Sequence, residues 1–346
     1  MTTQTFEQLL TAESRNGYLF GRYRRLSEAY DAFKRGVFLR EANSTADFPE
    51  LLKDGLRAAF FSEFGGIPSE WDQLAQVVPS NREHETWMSN QAMGTLARVG
   101  EGVEYPSLRV PDSRPEKTIT NFKYGALLAI TDEMLRYDRL GAMQEAISDL
   151  SRAAAQTREE AVFTVLTTTG NFDATVSDNQ IGNNTFTTGL SPTGFDTGYT
   201  TLMTMKDRNS GRPLMVRPDT IVVAPKLWLY AKQLLGSPQT TGMGDADATV
   251  VFGMGSTNPR AGLVRIMPST WLGALGTSHH WLLCQAKRGL LLQEVEPLQL
   301  LEEPRNSGEA FIRDVYRYRV RDIFGVGMRD SRYWVCANST TAGTIN

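Results

Sequence analysis

The sequence predicts an α+β fold, in which helices pack on sheet rather than alternate regularly with parallel strands. Its 346 residues are 41% hydrophobic and 22% charged, so the chain can bury a large core or two medium ones. One long helical pattern covers residues 131–168, and the sequence on both sides of it alternates between strand-like and turn-like stretches. No apolar run reaches the roughly 18 residues of a membrane span, so no membrane partner is expected.

Residues 1–75 are predicted to form a helical arm. Apolar side chains recur there at steps of three and four residues: Phe20, Tyr23, Leu26, Tyr30, Phe33, Val37, Phe38, Leu51, Leu52, Leu56, Ala59 and Phe60. Residues 15–40 carry seven basic and two acidic side chains, whereas residues 41–75 carry two basic and seven acidic ones. These charges are interpreted as solvated helix faces, or as faces that pair with each other or with neighbouring subunits, in preference to nucleic-acid binding.

An extended, two-stranded ribbon is predicted to follow the arm. Its first strand is placed near Val99–Leu108 and its return near Lys117–Ile130, with a polar tip rich in proline between them. A two-stranded ribbon is marginally stable alone in water, and few apolar residues lie near this tip. We therefore expect the ribbon to lie across another part of the protein or across a neighbouring subunit.

The strongest helical pattern comes next. Thr131 is the predicted N-cap, with Asp132 and Glu133 in the first turn, where negative charge suits the helix dipole. The apolar stripe is narrow and rich in alanine until a stop at residues 167–170, which favours packing on a sheet.

The remainder alternates between helices, strands and long loops. The predicted segments are an Asn, Thr and Gly-rich loop (170–192), helices (195–206 and 226–235), strands (219–225, 263–267, 281–285 and 290–295) and a Gly-rich flap (236–262). Two terminal strands, marked by Val315 to Val326 and by Tyr333 and Val335, are expected to complete the first sheet.

No catalytic, cofactor-binding or metal-binding residue is predicted, and the chain is not expected to be an enzyme. The phosphate-loop, dinucleotide, nucleophile-elbow and zinc motifs are all missing, and three histidines leave little material for a triad or a metal site. His84 is interpreted as a surface residue, and the Glu159 and Glu160 side chains should diverge on their helix. Cys284 and Cys336 lie in apolar, strand-like segments and are predicted to be buried free thiols.

The order of these segments resembles the Hong Kong phage-type fold of tailed-bacteriophage major capsid proteins, especially the Mu-like major head subunits. Three stretches carry the resemblance: STADFPELLKDGLRAAFFSEFGGIPSEWDQLAQVV, GEGVEYPSLRV with KTITNFKYGALLAITDEMLRYD, and PDTIVVAPKLWLYAKQLLGS with NPRAGLVRIMPSTWL. It covers residues 45–335 approximately. Bacterial encapsulins share this fold, so a cargo compartment is the alternative to a virus head.

The resemblance implies a division of the chain into domains. These are a helical N-terminal arm (1–75), a peripheral domain (76–94, 125–185 and 310–346, with a spine helix at about 131–168), an extended loop (95–124) and an axial domain (186–309). The loop would overlap an adjacent subunit and the flap would approach the symmetry axes. Intersubunit contacts are expected at charged residues of these segments, namely Arg98, Glu101, Glu104, Arg109, Arg114, Glu116, Asp245, Asp247 and Arg260. No lysine occurs between Lys53 and Lys117, so covalent cross-linking through the loop is not expected.

The resemblance also implies a function. The chain would assemble into pentamers and hexamers of an icosahedral shell that encloses double-stranded DNA without reading its sequence. Scaffolding, portal and cement or decoration proteins are the further partners to expect. Its location would be the virion, after assembly in the cytoplasm of a host bacterium.

Overall fold

The computed structural model describes the chain from residue 47 onward, with gaps. The described residues are 47–88, 96–105, 107, 116–131, 140–172, 184–207, 211–237, 257–276, 278–303, 313 and 315–339. The predicted arm is therefore testable only in its last part, where helices do occur, and residues 1–46 lie outside the described residues. No described helix is long and apolar enough to cross a membrane.

Helices and strands alternate along the described residues. The α-helices are α1 (Asp47–Gly66), α2 (Trp71–Leu74), α3 (Leu140–Thr167), α4 (Pro192–Thr204), α5 (Trp228–Ala231) and α6 (Thr270–Leu275). The strands are β1 (Gln76–Pro79), β2 (His84–Met88), β3 (Glu116–Thr120), β4 (Phe122–Thr131), β5 (Thr185–Phe186), β6 (Thr220–Val223), β7 (Arg265–Pro268), β8 (His279–Cys284), β9 (Leu290–Glu302), β10 (Val315–Met328) and β11 (Trp334–Ser339).

One sheet has the strand order β1-β9-β10-β4. Its edge strand β1 runs parallel to β9, with Gln76 opposite Leu291. A cavity lined by Ala153 and Ala154 of α3, Val320 of β10 and Leu298 of β9 shows which face of the strands lies toward the helix. The alanines predicted to pack on a sheet are thus found beside one, because a short side chain lets the helix backbone approach the strands closely.

A second sheet has the order β5-β11-β8-β6-β7 and holds much of the core. Strand β8 runs antiparallel to both β6 and β11, and all of its residues are buried. Burial on both faces explains why WLLC in β8 and IVV in β6 are continuous apolar runs rather than alternating patterns.

The chain forms two compact units. One comprises the described residues within Met1–Pro68, Tyr124–Thr157 and Leu298–Asp322, and the other those within Ser69–Lys123, Arg158–Pro297 and Ile323–Asn346. In the first unit, Ser151 of α3 donates a hydrogen bond to the carbonyl of Phe60 at 3.1 Å, which ties α3 to α1. The second unit contains the whole five-stranded sheet.

Several predicted elements are confirmed. Helix α4 lies where helix 195–206 was expected, and it begins at Ser191, whose hydroxyl accepts a hydrogen bond from the Gly194 amide at 3.0 Å. The segment predicted as helix 226–235 is helical, although it changes from a 3-10 turn through α5 to a π turn at Lys232–Gly236. The long helix ends at Thr167, as predicted.

Three sequence predictions are wrong. Thr131 is the last residue of β4 and not an N-cap, because the apolar text before it continues the strand; residues 132–139 lie outside the described residues. The partner of the returning strand is His84–Met88, whereas residues 99–105 form no strand. The last strand, β11, pairs with β8 in the five-stranded sheet and not in the first sheet, where its fully apolar stretch would lack cover on one face.

Candidate assembly surface

The extended ribbon is built by β2 and β3, which pair antiparallel with His84 opposite Thr120 and Met88 opposite Glu116. The exposed side of this pair is polar: the hydroxyls of Thr86 and Thr118 lie 3.2 Å apart. His84 is exposed, as predicted from its charged surroundings, and its Nδ1 lies 3.1 Å from the Thr120 hydroxyl. Cross-strand pairs of this kind hold a ribbon together but bury little apolar surface.

The base of the ribbon is fixed to the rest of its unit by polar contacts. The Asn121 side-chain amide donates to the Ser80 hydroxyl at 3.0 Å and to the Arg82 carbonyl at 2.6 Å. Gln293 of β9 donates to the Glu85 carboxylate at 3.2 Å. These contacts fix the base of the ribbon relative to β9 and to Ser80 and Arg82.

Two glycines of β10 allow the ribbon base to lie directly on that strand. A Cβ atom at Gly325 would come within 2.6 Å of the Thr120 carbonyl oxygen. A Cβ atom at Gly327 would come within 2.5 Å of the side chain of Ile119, which is buried. The GVGM text of β10 thus has a packing role, because any side chain here would push the ribbon away.

Replacing Gly327 by alanine is expected to lower the free energy of unfolding by about 2 kcal/mol, because overpacking a close contact typically costs about 1–3 kcal/mol. Urea unfolding of the purified subunit measures this change. The matched control is Gly170→Ala, since nothing lies within 4 Å of a Cβ atom at Gly170. Equal stability of the two variants would contradict the packing role of Gly327.

Residues 96–105, which we call the loop segment, lie between the two ribbon strands. A turn closes where the Val103 amide donates to the Gly100 carbonyl at 3.2 Å, and Gly102 takes a φ of 75° that suits glycine. The apolar side chains of this segment are not covered: Leu96 is 84% exposed, Val103 61% and Tyr105 82%. Neighbouring apolar side chains left in water are typical of a surface that another molecule covers.

The predicted intersubunit residues fall into three groups. Arg98, Glu101 and Glu104 lie exposed on the loop segment, and their role between subunits stays a prediction. Glu116 begins β3, as part of the ribbon. The remaining loop and flap residues lie outside the described residues, namely Arg109, Arg114, Asp245 and Asp247.

Arg260 has a partner within its own chain. Its guanidinium donates through two nitrogens to the two carboxylate oxygens of Asp196 on α4, with an Nε to Oδ1 distance of 2.8 Å. A paired arginine of this geometry is well oriented, since both donors of its planar fork are used. Its role between subunits stays a prediction.

The flap is held at its base. Asn258 donates its side-chain amide to the carbonyls of Leu234 and Ser237, at 2.8 and 3.0 Å, and accepts from the Arg260 amide. These bonds join the first residues of the flap, and Leu234 just before it, to residues near its end. Residues 238–256 lie outside the described residues.

The structure reveals two buried ionic clusters that the sequence analysis missed. In the first, the guanidinium of Arg332 lies between the carboxylates of Asp330 (2.7 Å) and Asp207 (3.3 Å). Burial alone would lower the pKa of Arg332, but hydrogen bonds and charges from both aspartates raise it above its usual value. In the sequence these three residues cannot be distinguished from ordinary surface charges, because only their burial in the folded protein sets them apart.

In the second cluster, Glu159 of α3 accepts hydrogen bonds from the backbone amides of Glu70, at 2.6 Å, and Trp71, at 3.2 Å. Burial raises the pKa of Glu159 to about 7, with the neighbouring Glu70 carboxylate adding to the shift and the two amides opposing it. Burial also raises the pKa of Glu70. As predicted, Glu159 and Glu160 diverge, since Glu159 is buried and Glu160 exposed.

Among the described residues, no three His, Cys, Asp or Glu side chains gather closely enough to hold a metal ion. Cys284 and Cys336 are buried free thiols, as predicted, and burial raises the pKa of Cys336 to about 12. His280 lies 3.3 Å from the Cys336 sulfur, and burial lowers its pKa to about 4, so it is neutral near pH 7.

Comparison with known proteins gives a consistent picture. The family model described as phage capsid protein matches residues 115–337. No curated protein sequence matches the chain. Among solved structures, the capsid of the cyanophage P-SCSP1u is similar at a TM-score of 0.53 and 11% identity, covering 80% of this chain and 89% of that one. The mature capsid of bacteriophage PhiM1 is similar at a TM-score of 0.50 and 16% identity, covering 80% and 88%.

Proposed function

Because the chain belongs to the phage capsid protein family, whose model spans most of its length, we propose that it is the major head protein of a tailed bacteriophage. As a capsid protein it forms a shell, so its role is structural. We infer that the shell is icosahedral, is built from pentamers and hexamers, and encloses double-stranded DNA without sequence-specific contacts. No cofactor is needed for this function.

The observation that carries the proposal beyond family membership is the uncovered loop segment on an anchored ribbon. Val103 and Tyr105 are 61% and 82% exposed in their own subunit, and covering such side chains is favourable by roughly 25 cal/mol for each Å² removed from water. A closed shell repeats each contact many times, so modest contacts of this kind suffice for assembly. We infer that the loop segment overlaps an adjacent subunit.

Other partners follow from the same proposal. A scaffolding protein, a portal and a cement or decoration protein would contact the shell during assembly, and assembly would take place in the cytoplasm of the host bacterium. The completed protein would reside in the virion. The encapsulin-like alternative would replace DNA by a cargo protein, and the content of the particle separates the two.

Expression of the full chain alone, followed by size-exclusion chromatography and negative-stain electron microscopy, tests the proposal. We expect closed particles of uniform size at physiological salt. A monodisperse monomer at high concentration would contradict a shell-forming role, unless co-expression with a scaffolding protein restores particles. A specific protein cargo in place of DNA in particles isolated from an infected or lysogenic host would favour the compartment.

A further inference from the structure

One end of the five-stranded sheet presents a row of residues that runs across four strands. Thr220 of β6 stands opposite Arg265 of β7 on one side and opposite Cys284 of β8 on the other. Cys284 is paired in turn with Trp334 of β11. Neighbouring strands lie about 4.8 Å apart, so the row is about 14 Å long. The residues just before β6 and just after β8 therefore leave the sheet at the same end.

Four exposed cations lie at this end of the sheet. Arg265 is the first residue of β7, Arg217 precedes β6, and Lys287 and Arg288 follow β8. We call these four residues the basic edge. Arg288 is held near the start of β11, since its guanidinium lies 5.8 Å from the centre of the Tyr333 ring. None of the four forms an ion pair with a residue that the structure describes, so their charges are available to another molecule.

Few carboxylates are available to offset the basic edge. The two aspartates that pair with Arg332 are buried. Asp219 is exposed, and its carboxylate accepts a hydrogen bond from the Ala286 amide at 2.9 Å. Asp72 is half-buried in α2, whose last residue accepts a hydrogen bond from the Lys287 amide. The accessible charge at this end of the sheet is therefore mainly positive.

The surrounding sequence shows the same excess of positive charge. Between Asp196 and Glu294 the chain holds ten lysines and arginines and four aspartates, although its net charge as a whole is −3. Positive charge is thus concentrated in the part of the chain that builds this sheet. A basic surface on an otherwise acidic protein attracts a polyanion to that surface alone.

The chemistry of the basic edge indicates which polyanion fits it. A DNA duplex carries one negative charge for about each 1.7 Å of its axis, so several phosphates would come opposite a row about 14 Å long, whatever the base sequence. Three of the four cations are arginines, whose planar donors match phosphate oxygens. An acidic protein segment would instead need carboxylates at the particular spacing of these four side chains. The basic edge therefore fits the DNA backbone better than it fits a protein segment.

We propose that the basic edge binds the phosphate backbone of the DNA that the shell encloses. The contact is independent of base sequence, because phosphates carry no sequence information directly. A few phosphate contacts bind DNA weakly in one subunit, and a closed shell repeats them in every copy. This inference rests on the proposed function, and it names the surface by which each subunit meets the packaged DNA.

Neutralising two of the cations tests the contact in the full chain. Fluorescence anisotropy of a labelled DNA duplex, titrated with unassembled subunit between about 50 and 200 mM salt, measures the affinity. Arg265→Gln combined with Lys287→Gln is expected to weaken binding by about tenfold. It should also reduce the slope of log affinity against log salt by about 2, since each lost phosphate contact removes about 1. Duplexes of unrelated sequence should behave alike.

The matched control is Lys226→Gln combined with Lys232→Gln. Both lysines are exposed and follow β6, so they lie beyond the opposite end of that strand, and their loss removes the same charge. The control should bind DNA like the unchanged chain, and circular dichroism confirms that both variants fold. Equal weakening in the control would show that net charge alone is responsible and would overturn the inference. Unchanged binding by Arg265→Gln with Lys287→Gln would overturn it as well.

Lysine acylation locates the contact in particles isolated from an infected or lysogenic host. Lys287 should react less in DNA-filled particles than in DNA-free ones, whereas Lys226 should react equally in both. Equal reaction of Lys287 in both kinds of particle would contradict the proposal. Variants of the basic edge that bind DNA normally but form fewer particles would assign this surface to a neighbouring subunit, against the proposal. If the unchanged chain binds DNA through the basic edge but forms no particles, the proposed function fails instead.

Discussion

Replacing Arg332 by methionine is expected to lower the free energy of unfolding by about 3–5 kcal/mol, the usual result of removing one partner from a buried ionic cluster. Arg332 is buried together with Asp207 and Asp330, and its guanidinium donates to both carboxylates. Without the guanidinium, two carboxylates stay in a region of low dielectric and must either remain charged or take up protons. Urea unfolding of the unassembled subunit at pH 7 measures the loss.

The control for this prediction is Arg152→Met, which removes an exposed arginine and its ion pair with Asp149. Exposed pairs contribute less than about 1 kcal/mol, so this variant should stay close to the unchanged protein. A similar, small change in both variants would contradict a structural role for the buried cluster. Changing Asp207 to asparagine in the Arg332→Met background should recover part of the stability, because one buried charge is removed.

The cluster connects several elements, which explains why its loss should lower the stability of more than one of them. Arg332 lies in the short 3-10 turn between β10 and β11, and Asp207 follows α4. The same turn receives a hydrogen bond from the Asn184 side chain to the Ser331 carbonyl at 3.0 Å. The cluster therefore joins the C-terminal strand of the five-stranded sheet to the helix that packs near it.

Local sequence patterns were sufficient to predict the elements that are marked by helical periodicity or by a short apolar run. Helix α4 was predicted at 195–206 and spans Pro192–Thr204, so its serine cap and first-turn proline were not used. Strand β6 is a short apolar run that was predicted at 219–225 and spans Thr220–Val223. Strand β8 was predicted because it too contains a short apolar run. Periodicity and caps are local physics, and they do not depend on which element packs against which.

Pairing could not be predicted, because it depends on distant residues. The text HETWM alternates weakly and carries charge, so β2 was missed, while the glycines of β10 that make room for the ribbon base are informative only once Ile119 is known to lie over them. Likewise, the sequence pattern of β11 alone does not show which of the two sheets it joins. The packing partner decides between such alternatives.

The role of the candidate surface stays a prediction. Arg98, Glu101 and Glu104 were predicted as intersubunit contacts, and their side chains are exposed in the single subunit. Which side chains of β10 point away from α3 could not be predicted, because RYRVRD alternates basic and other residues. Burial, which distinguishes the buried Arg332 from the exposed Arg319, is likewise decided by tertiary packing.

Replacing Glu159 by glutamine is expected to make the protein more stable above pH 7 by up to about 3 kcal/mol, since each unit of pKa shift corresponds to about 1.4 kcal/mol. Burial raises the pKa of Glu159 from an ordinary 4.5 to about 7 in the folded protein. Below pH 4.5 the folded and unfolded forms both hold the proton, and the stabilising effect of the neutral carboxyl is complete. As the pH rises from 4.5 to 7, the unfolded form releases its proton first, so stability falls until the folded carboxyl ionises as well.

The glutamine variant cannot ionise, yet its one side-chain oxygen, placed where Oε1 lies, can still accept from the Glu70 amide at 2.6 Å and from the Trp71 amide at 3.4 Å. Urea unfolding at a series of pH values from 4.5 to 8 should therefore show two curves that nearly coincide at the acid end and separate as the pH rises. The variant Glu160→Gln, at the exposed neighbouring position, should follow the unchanged protein at every pH. Parallel curves for Glu159→Gln and the unchanged protein would show that Glu159 titrates as an ordinary carboxyl in the folded chain. Separation of the curves would identify the contact between α3 and the start of α2 as a place where deprotonation loosens the subunit, because Glu159 would then carry its charge beside Glu70.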